Sequence, residues 1–427
     1  MSSLAAVRQE DNRAAVYAMP LEGLNPANPD LFRTDTHWPY FERLRREDPV
    51  HWCPESEHGP YWSITKFKDI IEVETRHDVF SSRADLGGVT LFERQGGGFL
   101  YEKPGAQLKN FIAMDPPEHA ERRKAVSGPF TAANLAALSS LIRERAQTIL
   151  DGLPIGETFD LVEKVSIELT IQNLCTLVDF PLEDRLKLKF WSDVGLCIPG
   201  PGQVVETVEE RDRELKAYLE YFTDLRNERA KRPPGNDLIS MLAHNPATRD
   251  MGPIEYIGTL ILLIGAGNET TRNSITSSVL ATNEFPAEFE KLRANAGLIP
   301  NFVSEVLRWQ SPVAHMRRTA LADFELRGKT IRKGDKVVMW FVSGNRDEEE
   351  FENADAFILE REHSRHHLAF GMGIHRCLGA RMGELQLVIL WEEILKRFKR
   401  IEVVGEPERV RSILFRGFQK LPVRIHA

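Results

Sequence analysis

The sequence predicts one large, mainly α-helical domain with small β-sheets. Apolar residues recur at helical spacing through most of the chain from Pro117 onward, and short strand-like runs sit near its two ends. No internal repeat, low-complexity segment or long linker divides the 427 residues. Composition fits a soluble globular protein, and the net charge of -8 argues against non-specific nucleic-acid binding. Cys53, Cys175, Cys197 and Cys377 show neither paired nor metal-ligand spacing and read as reduced thiols. Met1 to Pro20 has no continuous apolar stretch or cleavage-type region, so a cytoplasmic protein without a membrane anchor is expected.

In chain order, Trp38 to Arg46 reads as a helix, Val50–Cys53 and Tyr61–Ile64 as a hairpin, and Lys66 to Arg76 as a second helix. Residues 84–110 are rich in glycine yet carry Leu91, Phe92, Phe99 and Tyr101, a combination more often functional than idle. Helices are expected at 120–125, 135–150, 165–177, 182–196, 204–229 and 238–243. The Pro-Gly-Pro-Gly break at 199–202 makes 180–215 a candidate mobile lid. The longest apolar helix runs from Ile254 to Asn283, and Glu305 to Trp309 is helical. Strands are expected at 324–326, 329–331 and 336–342, with a last hairpin at 411–414 and 421–425.

Three stretches carry chemistry. In Phe370-Gly-Met-Gly-Ile-His-Arg-Cys-Leu-Gly379, glycines let backbone N–H groups approach a ligand, and the helix behind favours an anion, so the Cys377 sulfur is expected to be ionised. Phe370 would shield it. A buried structural cysteine is the alternative. In the long helix, Gly265-Ala-Gly-Asn-Glu-Thr-Thr271 breaks the apolar pattern, and each glycine costs about 1 kcal/mol against alanine. Either Glu269 and Thr270 relay protons to a bound ligand, or the small residues pack against another helix. Glu305 and Arg308 share a helical face at i, i+3, with Arg361 as a third member of a buried network or a surface pair as the plainer reading. His119, Arg123, Arg318 and His375 have no neutralising neighbour in sequence; together they would grip two carboxylates of a cofactor, and singly they are surface charges.

These motifs, in this order and spacing, resemble the cytochrome P450 superfamily of haem-thiolate monooxygenases. Phe370-Gly-x-Gly-x-His-x-Cys-x-Gly379 is similar to its cysteine loop, Ala266-Gly-x-Glu-Thr-Thr271 to its oxygen-binding helix, and Glu305-x-x-Arg308 to its ion pair. The resemblance implies one P450 domain over residues 1–427, with an extension at 1–35, an access loop at 84–110, the lid at 180–215, the oxygen-binding helix at 254–283 and the haem-ligand loop at 370–379. It places haem b between the long helix and the cysteine-loop helix, with Cys377 as axial ligand of the iron. His119, Arg123, Arg318 and His375 would bind the propionates beside Phe370 and Gly371. Glu269 and Thr270 would supply protons as O2 is reduced, and Glu305, Arg308 and Arg361 would be structural.

The implied pocket is apolar: Leu262, Gly265, Ala266, Val313, Ala314, Leu414 and Phe415. Without a flavin, nicotinamide or iron–sulfur motif, the chain would take electrons from NADH or NADPH through a ferredoxin reductase and a ferredoxin. The ferredoxin would dock on Arg122, Lys124, Arg376 and Arg381. The stretches 268–274, 309–320 and 373–377 further resemble the bacterial subgroup that hydroxylates the terminal carbon of alkanes and medium-chain fatty acids. A terpene or steroid hydroxylase is the alternative within the family, and a non-catalytic haem gas sensor or electron carrier the alternative outside it.

Overall fold

The computed structural model describes residues 12–91 and 108–426. The glycine-rich centre of the expected access loop and the first part of the expected extension lie outside the described residues. The helices that frame the site and core are α1 (Trp38–Glu47), α2 (Phe67–Thr75), α3 (Glu118–Ala125), α4 (Ala132–Asp151), α5 (Glu168–Val178), which a π-helical stretch Val162–Ile167 leads into, α6 (Arg185–Leu196), α7 (Val208–Arg229), α8 (Leu238–His244), α9 (Pro253–Glu284), α10 (Pro286–Ala294), α11 (Ile299–Gln310) and α12 (Ala380–Arg397).

The 32 residues of α9 span about 48 Å at about 1.5 Å per residue, and the helix packs against α5, α6, α11 and α12 along its length. Pro253 opens it at a position where the missing N–H is harmless, and Pro286 prevents its continuation. That second proline starts α10, a helix the apolar pattern did not reveal. Ile264, Ile275 and Val279 of α9 share one apolar core with Phe302 and Val306 of α11 and with Leu387, Leu390 and Trp391 of α12. The Trp391 Nε1–H donates to Ser278 Oγ at 2.8 Å, so the indole is buried with its polar atom satisfied. Cutting a core leucine such as Leu390 to alanine costs about 2–5 kcal/mol.

The strands are β1 (Val50–Cys53), β2 (Tyr61–Ile64), β3 (Phe80–Ser81), β4 (Thr158–Asp160), β5 (Met316–Ala320), β6 (Phe324–Leu326), β7 (Lys329–Ile331), β8 (Lys336–Met339), β9 (Arg400–Val403), β10 (Glu408–Arg409), β11 (Phe418–Lys420) and β12 (Pro422–His426). The main sheet has the order β1-β2-β8-β5-β3, with β2 and β8 parallel. It brings the first hairpin against strands that lie far along the chain and holds β5, with Arg318, beside the site. A second sheet orders β4-β12-β9.

Two strand expectations are corrected. The run 336–342 ends as a strand at Met339 and turns helical over Phe341–Gly344. Residues 411–414 are not a strand, because Ser412 Oγ accepts the N–H groups of both Leu414 and Phe415 at 3.1 Å and turns the chain. The expected partner, 421–425, pairs instead with β4 and β9. Among the described residues no helix is long and apolar enough to cross a membrane.

Candidate functional site

A cavity with about 1520 Å³ of empty space, its solvent-open mouth included, lies between the middle of α9 and the loop entering α12. Ala266 and Gly267 are exposed in the middle of an otherwise buried helix, and Cys377 is exposed opposite, because all three face this space. The loop is closed by the Cys377 N–H, which donates to the Phe370 carbonyl at 2.7 Å. Gly371 and Gly373 adopt φ values of 63° and 64°, which other residues rarely take, and a Cβ on Gly373 would sit 3.0 Å from the Glu74 carbonyl oxygen.

Enclosure in the protein pushes the Cys377 thiol up, and this outweighs the Gly379 and Ala380 N–H groups and the guanidiniums of Arg123 and Arg376. A metal cation at the sulfur would favour the thiolate.

One end of the cavity is polar. The His119 and His375 rings lie 4.3 Å apart, and His119 Nε2 and both ring nitrogens of His375 are buried without a hydrogen-bond partner. Burial, then Arg318, His119 and Arg123, push His375 down to about 2, so its ring is neutral. Arg318 spends Nη1 on the Arg317 carbonyl at 2.8 Å, and its Nη2 lies 3.5 Å from Glu74 Oε1. Arg123 Nη2 donates to the Arg376 carbonyl at 2.6 Å beneath the sulfur. Buried donors without acceptors are costly, which fits an acidic ligand completing them. With the apolar slot and the sulfur, this set of side chains fits haem, whose carboxylates would accept an N–H from these rings.

The motif in α9 divides among three directions. Gly265 is a helix contact, since a Cβ there would meet Leu196 Cδ1 at 2.9 Å, and it does not line the cavity. Thr270 faces the cavity, with its hydroxyl donating to the Ala266 carbonyl at 2.8 Å. Glu269 points away from the cavity wall to pair with Arg272, whose Nη1 is 3.8 Å from Asp193 Oδ1 on α6. Burial raises the Glu269 carboxyl, Arg272 opposes this, and Asp193, within hydrogen-bonding reach, raises it further. Lys189 holds the far side of Asp193 at 2.6 Å.

Leu262, Ala266 and Val313 line the cavity as expected, whereas Ala314, Leu414 and Phe415 lie behind the wall. The Ala314 N–H donates to the Leu414 carbonyl at 2.8 Å, and Val313 bridges to Phe415, so these residues back the lining. Sequence reasoning missed Glu74 and the pair Asn173 and Gln386, all three on the cavity wall. Asn173 Nδ2 donates to Gln386 Oε1 at 2.8 Å. Thr170 and Asn173, polar at i, i+3 on the helix face that also carries Leu174 and Leu177, were the available signal; Glu74 had none, because its partners come from β5 and the cysteine loop.

Arg361 joins Glu305 and Arg308: its Nε lies 3.1 Å from Glu305 Oε1, and Arg308 Nη2 lies 2.7 Å from the same oxygen. On the surface beside the cysteine loop, Lys124, Arg376 and Arg381 are exposed, but Arg122 is turned to Glu255 at 2.9 Å and leaves the expected basic patch.

A family model described as Cytochrome P450 matches residues 196–412. The solved structure of Cytochrome P450-153 from Novosphingobium aromaticivorans is 42% identical, covering 95% of this chain and 100% of that one with a TM-score of 0.87. The linalool 8-monooxygenase of Pseudomonas putida is 35% identical over 93% of this chain and 97% of its own length. The methyl-branched lipid omega-hydroxylase of Mycobacterium tuberculosis is 30% identical over 90% of each.

Proposed function

The chain belongs to the cytochrome P450 family, and from that premise we propose that this monooxygenase hydroxylates the end carbon of an apolar chain, an alkane or medium-chain fatty acid. The observation that carries this reading is a cavity wall built from Leu174, Leu177, Leu262, Ala266 and Val313, with the Thr270 hydroxyl among them. An apolar wall binds by area and leaves orientation to shape. The ω-hydroxylase among the relatives supports oxidation at a chain end.

When bound, haem supplies the iron chemistry that splits O2, placing one atom in a C–H bond and releasing the other as water for two electrons and two protons. Cys377 would ligate that iron, and the N–H groups of Gly379 and Ala380 would temper the sulfur's electron donation. His119, Arg123, Arg318 and His375 would bind the carboxylates. Thr270 would hold a proton on its Oγ at the cavity wall. Glu269 would resupply it after its side chain swings from Arg272, carrying protons from the Asp193 and Lys189 side. Electrons would come from a ferredoxin and its NADH- or NADPH-dependent reductase, with Lys124, Arg376 and Arg381 as the docking face.

The test is an optical titration of the ferric haem-loaded protein with linear alkanes, alkanoic acids, monoterpenes and steroids, followed by product analysis. A spin-state shift with linear chains and ω-alcohol products supports the proposal; a shift with steroids alone overturns it. An acyclic terpene is the second reading, favoured by the linalool relative, and a shift with linalool above all others would select it.

A further inference from the structure

Glu74, near the C-terminal end of α2, is a carboxylate that no motif and no step above employs. It is 3% exposed and lines the cavity at its histidine end. Its Oε2 accepts the Met372 N–H at 2.6 Å, and a Cβ on Gly371 would lie 3.1 Å from Oε1, so the group is seated in the cysteine loop. Its Oε1 faces Arg318 at 3.5 Å.

Other charged or titratable groups converge on this end. Arg318 comes from β5, His119 and Arg123 from α3, Asp115 from the turn before α3, His375 from the cysteine loop, and His77 from the end of α2. Arg123 is directed to the Arg376 carbonyl, and Asp115 is taken by the Ser81 hydroxyl at 2.6 Å and the Ser82 N–H at 2.9 Å. Arg318 and the Met372 N–H are left to act on Glu74. Burial prevails over both and raises its carboxyl to about 7.

A haem carboxylate bound by Arg318 would share that one guanidinium with Glu74. Two carboxylates at a single buried cation do not both stay ionised. An electron arriving on the iron adds negative charge to the same enclosure and favours one more proton. Resting on the haem reading above, we infer that Glu74 is the redox-linked proton site of the haem's carboxylate end. A one-electron donor reduces ferric to ferrous iron, and a solvent proton forms an O–H bond on Glu74; oxidation reverses both.

The experiment is spectroelectrochemical titration of the haem-loaded protein and of Glu74→Gln from about pH 5.5 to 8.5, read as reduction potential rather than activity. The wild-type potential should fall as pH rises. The steepest slope is bounded by the tenfold change in proton activity per pH unit, about 59 mV for a one-electron couple. Glu74→Gln should be flat over the same range, and Glu74→Asp, which keeps a carboxyl, should retain a slope with a displaced midpoint. A flat wild-type profile, or a Glu74→Gln profile parallel to it, overturns the inference. If the glutamine variant loads haem poorly, Glu74→Asp decides: a midpoint unmoved from that of wild type overturns the inference. A ferrous carbon monoxide spectrum with the red-shifted thiolate band, taken on the same samples, separates failure of this inference from failure of the haem reading.

Discussion

Glu305 with Arg308 on α11 and Glu269 with Arg272 on α9 are the same local pattern, a buried acid and arginine at i, i+3, and the fold completes them differently. Around Glu305 every oxygen is occupied: the Ile358 N–H donates to Oε1 at 2.9 Å, and Arg361 Nε reaches both oxygens. Arg308 in turn donates to the carbonyls of Asn345, Ala354 and Ala356 at 2.7–2.8 Å. Around Glu269 there is one arginine and a second acid, Asp193, and Arg272 Nε is buried without a partner. A buried charge with its partners complete is fixed, whereas one that is under-supplied and crowded by like charge is ready to exchange a proton.

Breaking the complete pair should have the largest effect. Arg308→Leu leaves the buried Glu305 leaning on Arg361 and takes their donor from the Asn345 and Ala354 carbonyls, at a cost of about 3–5 kcal/mol out of a typical stability of about 5–15 kcal/mol. Urea unfolding and haem content should both show the loss, and a variant of wild-type stability would mean that the network around Glu305 is dispensable. Glu269→Gln should leave haem content and folding within about 1 kcal/mol while slowing turnover about 10²-fold, the lower end for a lost proton-transfer group. Unaltered turnover would leave Glu269 as structural as Glu305.

The same variant tests the sign of a pH effect. Burial raises the Glu269 carboxyl above 4.5. Its contribution to stability is therefore present in full below that value and is lost as pH rises through the raised one. Thermal unfolding from about pH 5 to 8 should show wild type losing ground to Glu269→Gln.

Thr270→Ala removes one hydroxyl bonded to the Ala266 carbonyl, so stability should change by about 1 kcal/mol or less. The yield of product per electron should fall several-fold with haem retained; full coupling would exclude Thr270 as proton holder. Asp193→Asn, the mildest change, removes the like charge and should move the Glu269-dependent limb of the pH profile of turnover to lower pH. An unmoved limb would uncouple the two carboxyls.

What was legible in the sequence follows the same division. The cysteine loop, the long helix and the Glu305 pair are contiguous, so spacing and residue type identified them before any folding. The ownership of α9's polar faces was not legible, because Gly265 answers to Leu196 on α6 and Glu269 to Asp193, neither of which its own helix specifies. Arg122 reads as a free cation until α9 brings Glu255 to it. Glu74 reads as one more polar residue of an amphipathic helix until β5 and the cysteine loop enclose it. Where a residue's chemistry is set by partners tens to hundreds of positions away, local pattern is silent.

The small sheet β4-β12-β9 has a consequence for how the molecule is made. The Leu421 N–H donates to Asp160 Oδ1 across 261 positions. At about 5–20 residues per second, the ribosome needs on the order of 10–50 s to supply β12 after β4 emerges. Through that interval β4 presents an unpaired edge, open to other nascent chains. C-terminal tags or truncations near β12 should therefore lower the yield of soluble protein even though they lie outside the haem cavity.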